Sequence, residues 1–228
     1  MTQVGVWWTR TPPGAGRGRR RALGERLLRR TVAELTGRPG ALFVLDRTCR
    51  HCGGPHGKPR LRGSGVDASL AYAGGPPGSA GLVAVAAVVS DRHRVGLDVE
   101  EPPEAIRLDD VVGAALTPAE TRRLPAGPHL RRLAVTRSWV RKEAVLKVTE
   151  HGLAVGPTAI GVDGCGRVLW DEDVAGTPAG IDPIVVRDID LGRPGGVVPR
   201  RLAAAVAIAG TGRARIVLHG PVPRGWIR

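Results

Sequence analysis

Glycine and proline interrupt this chain so often that most of its secondary-structure elements must be short. Thirty-three glycines and nineteen prolines are spread over 228 residues. Between them lie apolar runs of strand length, such as LVAVAAVVS at 82–90. Only two stretches keep helical spacing over several turns. In 19–36 the residues Leu23, Leu27, Leu28, Val32 and Leu35 recur on one face, and Gly37 and Pro39 stop the run. The second runs over about 129–150. A smaller helix signal precedes it: Thr117 caps, Pro118 takes the first helical position and Glu120 reaches back.

Strands are expected at 4–8, 41–46, 66–73, 82–90 and 95–100 in the first half. The last two read as a hairpin turning at Asp91, Arg92 and His93. In the second half they fall near 158–162, 166–170, 183–190, 201–209 and 214–219, with turns at Asp163-Gly164 and Gly210 to Gly212. Each half reads as a helix followed by antiparallel strands. The expectation is therefore an α+β fold, a pseudodimer of two similar halves, 1–103 and 104–228, each with a helix packed on a small antiparallel sheet. Pro102 and Pro103 mark the boundary. No residue-level repeat accompanies this pattern.

Hydrophobic residues make up 42% of the chain, enough for a folded core. No apolar run approaches the ~18 residues of a membrane span. The N-terminus carries its charges after its apolar residues, the wrong order for a secretory signal. Three cysteines are an odd number for a disulfide framework. A cytoplasmic protein is the expectation. The net charge of +13 first suggests nucleic acid. Only seven aromatic residues exist, however, and none forms a stacking series with the basic runs, so no nucleic-acid partner is expected.

The basic residues carry a second message. Arginine is used almost everywhere, and lysine occurs only as Lys58, Lys142 and Lys147. Lysine is a compact point charge and arginine a rigid fork. Lysines that survive such a bias are candidates for chemistry. Asp98 and Glu100, two apart on a strand, point to one face about 6.6 Å apart. Paired carboxylates repel unless a cation bridges them, and hard oxygen ligands suit Mg²⁺, with Mn²⁺ possible. In the helix, Trp139, Lys142, Glu143 and Leu146 share a face, with Lys147 at its edge. A Lys–Glu pair between Trp and Leu violates the amphipathic pattern, as functional sites do.

Together, VGLDVE and the later W-x-x-K-E-x-x-x-K resemble the paired motifs of the 4′-phosphopantetheinyl transferases, of the monomeric surfactin-synthetase-activating type. CRHCGGPHGKPRL at 49–61 looks like the family's Gly-Lys-Pro loop, RRALGERLLR at 20–29 like its Arg-bearing helix, and LTPAE at 116–120 like the start of its second-half helix. The resemblance implies Mg²⁺-dependent transfer of the 4′-phosphopantetheine arm from coenzyme A to a serine of an acyl, polyketide or peptidyl carrier protein, releasing 3′,5′-ADP. It implies Asp98, Glu100 and Glu143 as metal ligands. Glu143 would also be the general base, and Lys142 and Lys147 would neutralise phosphate charge. Lys58 and Pro59 would line the adenine side, Arg20 would approach the 3′-phosphate, and Trp139 would pack beneath the site. The carrier domain should be acidic, because this chain is basic.

Two features depart from the family pattern. Ala71 and Tyr72 stand where a Ser-His pair is usual. A Tyr hydroxyl donates one hydrogen bond but brings no positive charge. Weaker coenzyme A binding, or compensation by a nearby Arg, would follow. The stretch ahead of Arg20 is also short, which leaves a catalytically impaired relative that binds coenzyme A or carrier without transfer as the alternative. Finally, Cys49, His51, Cys52 and His56 offer zinc ligands. Four ligands within eight residues are cramped and no second C-x-x-C exists, so a Gly-rich loop with a structural Cys pair is the favoured reading.

Overall fold

The computed structural model describes residues 2–12, 14–73, 83–90, 93–102, 108–171, 182–191, 202–223 and 225. Two long helices each cover a small sheet, a mixed α and β arrangement. Strand β1 (Thr2–Arg10) precedes helix α1 (Arg17–Thr36), which ends at Gly37 in the left-handed region. Strands β2 (Val44–Asp46) and β3 (Arg60–Arg62) pair antiparallel and frame the Cys/His loop. Then come β4 (Val66–Ala73), β5 (Val83–Ser90) and β6 (Arg94–Glu100). Helices α2 (Leu108–Ala115), α3 (Pro118–Arg122) and α4 (Pro128–Thr149) follow. The chain closes with β7 (Ile160–Val162), β8 (Val168–Trp170), β9 (Ile184–Asp188), β10 (Ala203–Ala209) and β11 (Ala214–Pro221).

The pairing of these strands differs from the expected one. Strands β5 and β6 do not form a hairpin. β5 lies between β1 and β4 in a four-stranded sheet of order β11-β1-β5-β4, whereas β6 joins β10 and β9 in a second sheet. The turn expected at Asp91 and Arg92 falls outside the described residues. β11 leaves β10 after Gly210 and Gly212 and runs parallel to β1, the one parallel pair among the described strands. Pairing thus crosses residue 103 in both directions. Local periodicity signals a strand but is blind to which neighbour completes its ladder.

The two sheets meet along β4 and β6, and side chains make the seam. Asp67 Oδ2 accepts from the Val95 amide at 2.7 Å, and Ser69 Oγ accepts from the Leu97 amide at 3.0 Å. Alternation then decides which face each residue serves. Val4, Val6, Trp8, Ala71, Val95, Leu97 and Val206 form a core shared by both sheets. Trp7, Ala68 and Leu70 pack under Leu27, Leu28 and Val32 of α1. Ala203, Ala205, Ala207 and Ala209 of β10 and Ile184 and Val186 of β9 pack under Val140, Ala144 and Val148 of α4.

Helix α4 crosses β6 very closely. A side-chain carbon placed on Gly96 would stand 1.8 Å from the Ala144 carbonyl oxygen, so only glycine fits there. That contact fixes the face of β6 bearing Asp98 and Glu100 against α4. No helix among the described residues is long and apolar enough to cross a membrane.

Candidate active site

Gly96, Asp98 and Glu100 alternate with the inward Val95, Leu97 and Val99, so both carboxylates face α4, as expected. From α4 the Lys147 ammonium donates to Asp98 Oδ1 at 2.6 Å and to the Leu97 carbonyl at 3.0 Å. Asp98 is buried, and its second oxygen, Oδ2, has no hydrogen-bond partner. Burial, Asp98 and, to a smaller degree, Glu143 push Glu100 up to about 7 against the pull of Lys147. Burial and then Asp98 raise Glu143 as well, again opposed by Lys147. Three carboxylates and one lysine thus share a partly dry space, and negative charge exceeds positive.

The donor set fits a hard divalent cation: three carboxylates, one with an orphaned buried oxygen, in a place where extra positive charge would relieve raised acid groups. Their oxygens face a common space without converging on one point. Among the described residues, only Cys49, Cys52 and His56 bring three potential ligand atoms within 4.8 Å of one another.

Beside the carboxylates lies a cleft of about 510 Å³. Lys58, Pro59, Arg47 and Arg50 line one side, and Glu143, Lys147 and Glu150 line the other. Lys58 is ion-paired with Asp67, the same carboxylate that holds the seam. Burial lowers its pKa, with Asp67 opposing. Glu150 was not singled out by sequence, yet it organises the cleft. It ends α4 with φ of 63°, unusual for a residue with a side chain. Arg50, at 3.2 Å, and Arg60 pair with its carboxylate, and His51 Nε2 lies 3.1 Å from its carbonyl. A glutamate where a helix end commonly has glycine was the available signal.

Lys142 requires a correction. It does not join Lys147 at the carboxylates. Its ammonium is fully buried and donates to the Ala115 carbonyl and to Glu120 Oε2, both at 2.6 Å. Burial lowers its pKa and Glu120 counteracts this. The expected capping box at Thr117 is present, and its Glu120 is the carboxylate that receives Lys142. Lys142 therefore ties α4 to α2 and α3. The helix face looked anomalous because α4 packs on three sides: the sheet, the α2–α3 segment and the cleft. Trp139 is half-buried and shares with Glu100 a second cavity of about 430 Å³ beside α2.

Tyr72 points to α1, where a carbon on Gly24 would meet its hydroxyl at 2.1 Å. The hydroxyl is buried without a well-formed hydrogen bond, and burial raises its pKa, opposed first by Arg47. Arg47 thus stands beside Tyr72 while lining the cleft. Its Nη1 is ion-paired with Glu25 at 3.7 Å, whereas its Nε is buried without a hydrogen-bond partner, as is Arg20 Nε. Arg20 lies in the first turns of α1 and is not among the residues lining the cleft.

Residues 94–169 match the family model of the 4′-phosphopantetheinyl transferase superfamily, ACPS. The matched segment contains Asp98, Glu100, Glu143 and Lys147, and it supports a transferase of the phosphopantetheinyl kind. No match emerges among the curated proteins.

Proposed function

We propose that this protein transfers the 4′-phosphopantetheine arm of coenzyme A to a serine of a carrier protein, in the manner of the monomeric surfactin-synthetase-activating enzymes. One observation carries the reading. Helix α4 sets Glu143 and Lys147 on the wall of a basic cleft and, in the same turn, against Asp98 and Glu100. A polyanionic cofactor and a metal would then meet at one helix.

In this reading coenzyme A occupies the cleft, with Lys58 and Pro59 toward the adenine side and Lys147 toward the pyrophosphate. Arg47, half-buried beside Tyr72 and ion-paired with Glu25 at 3.7 Å, supplies the positive charge that Tyr72 lacks. Arg20 does not line the cleft, so it would approach the 3′-phosphate only if the cofactor extended beyond the cleft toward α1. Asp98, Glu100 and Glu143 would hold Mg²⁺, which supplies charge neutralisation at the pyrophosphate. Glu143, its pKa raised by burial, takes the proton from the carrier serine. The serine oxygen forms a bond to the β-phosphorus as the bond to 3′,5′-ADP breaks. Lys147 is close enough to the carboxylates to stabilise the departing phosphate. Alignment and charge neutralisation do most of the work, because phosphate is already a competent leaving group.

The two-sheet arrangement, with one long helix over each, supports a pseudodimer of α+β halves meeting at β4 and β6. A cytoplasmic monomer acting on an acidic carrier domain completes the proposal. Tyr72 motivates the second reading, a relative that binds coenzyme A without transfer. Calorimetry with coenzyme A and Mg²⁺ tests the cleft. One-to-one binding is expected, weakened about tenfold or more by Lys147→Ala and by Arg47→Ala. Equal affinity in both variants would contradict the assignment.

A further inference from the structure

The loop between β2 and β3 has no apolar core. Of residues 47–59 only Pro59 and the Lys58 side chain are buried, and most of the rest are exposed. Yet its backbone closes tightly on itself. The Cys49 amide donates to the Gly54 carbonyl at 2.8 Å, Gly53 donates back to Cys49 at 3.0 Å, and Gly57 donates to Arg47 at 2.7 Å. Gly53 sits at φ of 71° directly after Cys52 and turns the chain. The Gly54 amide donates to Cys52 Sγ at 3.4 Å. A side chain on Gly54 would stand 3.0 Å from the His56 ring and 3.3 Å from Cys52 Sγ, so glycine there lets these two groups meet.

Three ligating atoms converge as a result. Those of Cys49, Cys52 and His56 all lie within 4.8 Å of one another, and Cys52 Sγ is 2.9 Å from His56 Nε2. A tetrahedral zinc ion with ordinary Zn–S and Zn–N bonds needs ligand separations of about 3.5–3.8 Å, inside that spread. The sequence objection, that four ligands in eight residues are cramped, disappears, because His51 turns away to the Glu150 carbonyl and only three remain.

We infer that Cys49, Cys52 and His56 bind one Zn²⁺ ion. Two thiolates and an imidazole are a soft donor set that prefers zinc to magnesium. All three residues line the 510 Å³ cleft, so the fourth coordination position opens on it. The ion staples the loop whose last residues are Lys58 and Pro59, thereby fixing one cleft wall. This zinc is distinct from the magnesium assigned to the carboxylates and does not depend on the transferase reading.

The test uses the full chain, purified under reducing conditions and without a histidine tag. Elemental analysis should find about one zinc per chain. Cys49→Ser and Cys52→Ser should lose it, His56→Ala should retain it weakly, and Cys165→Ser should keep it. Should the serine variants fail to fold, the unmodified chain still decides. Replacement by Co²⁺ should give a thiolate-to-cobalt charge-transfer band, and Zn²⁺ should protect two of the three thiols from a thiol reagent. Chelating the zinc should speed amide exchange in 47–59 and leave α4 unchanged. Substoichiometric zinc with no charge-transfer band, a Cys49–Cys52 disulfide in the reduced preparation, or loss of zinc in Cys165→Ser would each overturn the inference.

Discussion

Lys142 and Lys147 stand five positions apart on one helix and meet different neighbours. Lys147 meets a buried aspartate at the cleft, whereas Lys142 is swallowed between α4 and the α3 cap. Removing one member of a buried ion pair leaves its partner uncompensated, at about 3–5 kcal/mol. Lys142→Ala should therefore lose stability of that order in urea unfolding, while coenzyme A affinity measured at a permissive temperature stays near the unmodified value. Lys147→Ala strips the buried Asp98 of its partner as well, so it should lose both stability and coenzyme A affinity. Glu100 adds a pH dependence. Its folded-state pKa of about 7 lies above the ordinary 4.5, so the folded chain binds that proton more tightly than the unfolded chain does. In the presence of a chelator, stability should fall as pH rises from about 4.5 to about 7 and level off above. Glu100→Gln should flatten that slope in thermal melts, and an unchanged slope would remove Glu100 as its source.

At the scale of elements, β6 and α4 make the site, and their crossing depends on Gly96. Gly96→Ala would drive a methyl group into the Ala144 carbonyl. Overpacking of this kind costs roughly 1–3 kcal/mol or more, and it should also shift Asp98 away from Lys147. Urea unfolding combined with Mg²⁺ titration checks both effects together. Much of this element structure was legible in the residues alone. The helix at 19–36, the capping box at Thr117 and the shared face of Asp98 and Glu100 followed from local rules. Helix α2 lacked a cap signal and went unread. The β5–β6 hairpin failed for a physical reason. Adjacent strands joined by a short turn are locally favoured, but Asp67 and Ser69 satisfy the β6 amides from β4, leaving β10 for its other edge. Lys142 misled because a side chain's direction around a helix packed on three sides is not written in its spacing.

Over the whole molecule, two sheets share one core, and both long helices lie outside it. The exchange of β6 and β11 across the two halves binds the N-terminal cleft wall, with Lys58 and Arg47, to the C-terminal helix that carries Glu143 and Lys147. Such a site exists only when both parts are assembled. Apo-carrier protein incubated with coenzyme A, Mg²⁺ and this protein, then weighed intact by mass spectrometry, tests that account most directly. The carrier should gain one phosphopantetheine arm, and the gain should vanish with Asp98→Asn or Glu143→Gln variants that remain folded by circular dichroism. Carriers of the acyl, polyketide and peptidyl classes that all keep their apo mass, or full transfer by either variant, would contradict it.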